Sequence, residues 1–161
     1  MTYDALGPYD LELTRRMKAS RASVWRCLTE PALMEQWFCP KPWRATDIVL
    51  DLLPGGRFST VMRGPAGEVH DEGAGCVLLV EPMTRLVWTS ALGPGWRPVL
   101  TPEGSFAMTA VMTLREVESG TLYTARALHA TEAARAQHEA MGFHDGWGTA
   151  ADQLEALAAT L

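Results

Sequence analysis

Cysteine is scarce in this chain of 161 residues: Cys27, Cys39 and Cys76 are odd in number, widely spaced and free of any Cys-x-x-Cys pair. That argues against a disulfide framework or a zinc cluster and for reduced thiols acting as small core residues. Basic charge is also short, with 14 Lys and Arg against 19 Asp and Glu, a net charge of -5, and no basic face. A nucleic-acid partner is therefore not expected. Residues 1–15 hold no continuous apolar run, so neither a signal peptide nor a membrane-spanning helix is expected, and the chain reads as cytoplasmic with no membrane partner. Gly-x-Ser-x-Gly, a phosphate-cradling Gly-rich loop and His-Glu-x-x-His are all missing. His138 and His144 stand about 120° apart around a helix and cannot bind one metal together. No metal and no cofactor is expected.

What is present suits one domain over residues 1–161, a size that buries roughly 70% of the surface of its unfolded chain. Its most regular stretch is residues 132–161, where Ala136, Ala140, Phe143, Trp147, Ala150, Leu154, Leu157 and Leu161 recur in steps of four and three. That is one stripe of a long helix, about 45 Å at the usual rise, which fits only if a sheet wraps around it. Gly142, Gly146 and Gly148 interrupt it, each costing about 1 kcal/mol relative to alanine. The helix bends there, or something approaches its backbone closely.

Upstream, Leu11 and Leu13 alternate with polar residues as a first strand, and Ser20 offers an N-cap to a short helix carrying Val24, Trp25 and Leu28. Pro31 starts a second short helix, which Pro40 and Pro42 end. From residue 43 to 128 the period becomes two. Runs at residues 48–52, 58–62, 69–80, 85–89, 107–116 and 121–128 read as antiparallel strands joined by Gly- and Pro-rich turns, and Gly73 and Gly75 suggest a bulge. Residues 93–104 have no alternation; they read as a lid loop tipped by Trp96. The architecture expected is α+β: a curved antiparallel sheet of about seven strands around a long C-terminal helix, with two short helices after the first strand.

Specific words of the sequence point the same way. Arg21-Ala22-Ser23-Val24-Trp25 with Glu30-Pro31 and Gln36-Trp37-Phe38, then Pro54-Gly55-Gly56-Arg57-Phe58, Arg85-Leu86-Val87-Trp88-Thr89 and the run from His138 through Gly142-Phe143-His144 to Trp147 resemble the activator of heat-shock protein 90 ATPase homologue family. That family belongs to the START-like, or SRPBCC, superfamily of helix-grip folds, and the resemblance spans nearly the whole chain. It implies the helix-grip fold. For function it implies a choice, because the superfamily holds lipid carriers, cyclases, hormone and allergen-type binders and co-chaperone domains.

The reading that follows is a protein that encloses a small apolar or amphipathic molecule between sheet and helix, with a homodimer as a further option. Trp37, Trp88, Trp96, Phe106, Phe143 and Trp147 are the candidate lining, with His144 at the rim able to donate to a ligand oxygen. A cyclase- or hydrolase-like enzyme would need an acid or base in the same space, for which His70, Glu72 and His144 are the candidates. Against these stand plain roles: His70 and Glu72 as a solvated strand end, His144 as a backbone-satisfied flank, the tryptophans as core. A protein-interaction module, the third class, would show an exposed apolar patch instead.

Overall fold

In the computed structural model, which describes residues 5–161, the alternation around Leu11 and Leu13 forms β1 (Asp10–Met17) with Leu11, Leu13 and Met17 buried. Ser20 caps α1 (Arg21–Thr29), its hydroxyl accepting from the Ser23 amide at 3.1 Å. Pro31 opens the single turn of α2 (Pro31–Met34), where its missing N–H leaves nothing unpaired. The strands follow: β2 (Arg44–Leu50), β3 (Arg57–Arg63), β4 (Val69–Glu81), β5 (Arg85–Thr89), a two-stranded ribbon of β6 (Leu92–Gly93) and β7 (Arg97–Pro98), then β8 (Met108–Val117) and β9 (Gly120–His129). The main sheet has seven antiparallel strands in the order β1-β9-β8-β5-β4-β3-β2, so β1 and β2 are its edges.

Register shows which side chains share its inner face. Leu11 pairs with Ala127, Ala127 with Ala110, Ala110 with Trp88, and Trp88 with Val77. All five pack in the hydrophobic core. The sheet bends because β2, β4 and the β4–β5 pair each carry a register shift. The shift in β4 falls where glycine suggested it: Ser59 pairs with Ala74 and Val61 with Asp71, leaving an extra residue at Glu72–Gly73.

The C-terminal stripe is not one helix. It divides into α3 (Glu132–Ala140) and α4 (Phe143–Ala158), because Gly142 adopts φ +96°, a left-handed conformation that ends the first helix and starts the second. Both readings of the glycines are realised. Gly142 makes the break, whereas Gly148 is approached closely: a Cβ there would lie 3.0 Å from Arg15 Nη2. The 16 residues of α4 span about 24 Å, short enough to lie along β1 inside the curve of the sheet.

Residues 93–98, within the stretch 93–104 read as a lid loop, also differ from expectation, whereas 99–104 carry no strand or helix. Gly93 pairs with Arg97, Leu92 with Pro98, and the Gly95 amide donates to Gly55 O at 2.8 Å. The Trp96 ring lies on Gly55, whose missing Cβ would be 2.9 Å from it. The tip of this segment is thus fastened to the β2–β3 turn. No helix among the described residues is long and apolar enough to cross a membrane.

Two substitutions test the break in the C-terminal stripe by chemical denaturation. Gly142→Ala should lose about 1–2 kcal/mol, the cost of a side chain in left-handed backbone. Gly146→Ala, at a helical position with nothing within 4 Å of the added methyl, should gain about 1 kcal/mol.

Candidate functional site

The inner face of the sheet meets the helices at two aromatic clusters. On β3 the alternation places Phe58, Thr60 and Met62 on this face, and on β5 it places Leu86 and Trp88 there. Phe58 stacks on Trp88 at 4.6 Å between ring centroids and 18° between planes. Phe38 lies 5.8 Å from Phe58, and Trp37 makes an edge contact with Phe38 at 5.6 Å. Trp37 is itself fixed, its indole N–H donating to Cys27 O at 2.8 Å. Trp88 Nε1 and Thr60 Oγ1 are not: both atoms are buried, and neither has a hydrogen-bond partner among the described residues. In an apolar wall each such atom costs about 1–3 kcal/mol.

The second cluster surrounds His138 on α3. Its ring lies 4.9 Å from Phe106, 5.3 Å from Phe143, 5.9 Å from Trp147 and 5.1 Å from His129. Inner-face alternation along β9 runs Ala125, Ala127, His129, which brings the last of these under α3. His129 Nδ1 is 2.8 Å from Tyr9 O, and His129 Nε2 is 2.9 Å from His138 Nδ1. Both rings are buried. Burial first, and the facing His129 second, push His138 down to about 4. It is neutral at pH 7. Burial pushes the thiols of Cys27 and Cys39 up to about 11, so neither offers a thiolate nucleophile near neutrality.

The face of α4 away from β1 borders an open groove of about 440 Å³ lined by Gln36, Cys39, Trp43, Gln153 and Leu157. Gln153 spans its floor, accepting from the Lys41 amide at 2.9 Å and donating to Trp37 O and Cys39 O at 3.0 and 2.8 Å.

Of the residues expected from sequence, Trp37 and Trp88 fall in the first cluster and Phe106, Phe143 and Trp147 in the second. Trp96 stands apart on Gly55. His144 is exposed on the outer side of α4, with Nε2 2.9 Å from Glu139 Oε2. His70 and Glu72 are exposed, His70 tilted against Trp43 at 5.5 Å and Glu72 in the β4 bulge. The structure does not bring these three together. It adds Phe38, Phe58, His129 and His138, which the sequence reading had not placed in the site. Extending the Ala125, Ala127 alternation by one step would have reached His129; His138 had no comparable signal.

The sequence profile of the family described as Activator of Hsp90 ATPase homolog 1-like protein matches residues 18–159. Among solved structures, a protein from Nitrosomonas europaea is 46% identical, superposes with a TM-score of 0.90, and aligns over 96% of this chain and 97% of its own. One from Rhodobacter sphaeroides is 27% identical with a TM-score of 0.80 over 98% and 97%. The AHSA1-like protein from Aeromonas hydrophila, at 19% identity, shares the fold with a TM-score of 0.70 over 94% and 92%. No curated protein matches the chain.

The buried histidine predicts a pH dependence. Below its ordinary value of 6.5 the unfolded chain takes up a proton that folded His138 refuses until about 4. Its contribution to stability is therefore complete above 6.5 and lost as the pH falls to about 4, by at most about 3 kcal/mol. Denaturation curves at pH 7 and pH 4.5 should diverge more for the native sequence than for His138→Phe.

Proposed function

The chain belongs to the Activator of Hsp90 ATPase homolog 1-like family, and from that premise we propose that it binds a small apolar or amphipathic molecule between the inner face of the sheet and α4. The observation that carries the reading is the Phe58–Trp88 wall with its unpartnered Trp88 Nε1 and Thr60 Oγ1. Apolar area removed from water supplies affinity at about 25 cal/mol per Å², while a ligand oxygen meeting either atom recovers a hydrogen bond the empty protein lacks. Few polar groups in an aromatic wall are what orient a ligand in such a site.

A second reading has its own observation. Leu52, Leu53 and Trp96 are exposed around the β2–β3 turn, an apolar surface suited to a protein partner. Stimulation of a heat-shock protein 90 ATPase that is lost in Trp96→Ser would support it.

The binding reading is tested by titrating small aromatic ketones and hydrocarbons and following Trp88 in tryptophan side-chain NMR. Trp88→Phe keeps the stack but removes the N–H, so it should weaken an oxygen-bearing ligand about tenfold, or about 1.4 kcal/mol, and leave a pure hydrocarbon unchanged. Equal effects on both ligands would show that the indole N–H meets nothing in the complex.

A further inference from the structure

The His129–His138 pair specifies what the polar end of such a ligand must be. Tyr9 O has only lone pairs to offer, so the His129 Nδ1 that faces it at 2.8 Å carries a hydrogen. With one hydrogen on each ring, His129 Nε2 is then an acceptor. The hydrogen in its 2.9 Å contact belongs to His138 Nδ1. One backbone carbonyl thus sets the tautomer of both rings and leaves His138 Nε2 as a bare lone pair. No donor meets it among the described residues, and its ring is enclosed by Phe106, Phe143 and Trp147.

Resting on the binding reading above, we propose that this site takes a ligand whose polar end is a neutral hydroxyl, an alcohol or a phenol, that donates its hydrogen to His138 Nε2. A carboxylate brings lone pairs against a lone pair and must also shed its water among aromatic rings. An ether of the same shape leaves the nitrogen unsatisfied. An ammonium could donate, but neither histidine has a carboxylate hydrogen-bonded to it to balance a buried cation. Discrimination of this kind is strong because an acceptor that the bound ligand cuts off from water and leaves without a donor penalises every ligand that lacks the O–H. The two clusters lie within reach of one molecule. Trp88 pairs with Ala110, and Met108, two residues along the same strand, pairs with His129. Strand spacing and rise put Trp88 and His129 on the order of 12 Å apart on one face.

The test uses the full chain at pH 7 and four probes of one shape: 2-naphthol, 2-methoxynaphthalene, 2-naphthoate and naphthalene, with affinities measured by calorimetry. The expected result is that 2-naphthol binds at least about tenfold more tightly than the other three, and that His138→Phe, checked for folding by NMR, erases this preference. If all four bind alike, or the preference survives in His138→Phe, the hydroxyl proposal is overturned while the binding reading stands. If none of the four binds, the binding reading falls and the proposal with it. Nitrogen-15 spectra of the histidine rings of the unmodified protein give an independent outcome: His138 Nε2 should resonate as an unprotonated nitrogen, and a protonated Nε2 at pH 7 overturns the proposal without any ligand.

Discussion

The position of α4 is the constraint on which the rest of the structure depends. On one side it lies along β1, where the Lys18 amide donates to Glu155 Oε2 at 2.6 Å and Arg15 stands 3.9 Å from Asp152. On the other side Gln153 holds the chain at residues 37, 39 and 41 through three hydrogen bonds. The exposed Arg15–Asp152 pair adds little, since such pairs are worth about 0–1 kcal/mol. Most of the holding comes from the buried Phe143, Ala151, Leu154 and Ala158, supplemented by the hydrogen bonds at about 1 kcal/mol each. Because α4 is held on both sides, the distance between helix and sheet is set, and with it the packing of the aromatic clusters.

Curvature does the complementary work. A flat sheet would carry Phe58 and Trp88 away from the helices; the extra residues in β2 and β4 turn the β2–β3–β4 side inward and bring Phe58 to Phe38. The ribbon of β6 and β7, tied to Gly55, lies by the same turn. Loop, bulge and edge strand therefore act as one support for the first cluster.

The second cluster shows how an apolar setting changes the chemistry of a polar group. Histidine in water titrates near neutrality, but here burial keeps His138 uncharged, and in the proposed tautomer the Tyr9 carbonyl, acting through the one ring of His129, decides which nitrogen is free. Trp88 contributes the opposite element, a buried donor without an acceptor. One end of the inner face offers a hydrogen and, in the proposed tautomer, the other a lone pair, with carbon between them, and the proposed binding of an amphipathic molecule rests on that arrangement.

Much of this was legible in the sequence. Alternation around Leu11, along residues 121–128 and through the Phe58 strand marks which residues share a face, because in a strand the side-chain period is a local property. Turn residues delimited the strands for the same reason, and the helix-grip family was legible in the order of its short motifs. Tertiary structure alone decided the rest. Gly142 could signal a bend but not that the chain would pass through left-handed backbone and restart as α4. Trp96 read as the tip of a lid, and only the fold sets its ring on Gly55. His129 and His138 are nine positions apart on different elements, and nothing in either element's period announces that their rings touch. Faces are set by neighbours in the chain, but contacts between faces depend on register, curvature and the angle of one helix, which are properties of the whole fold.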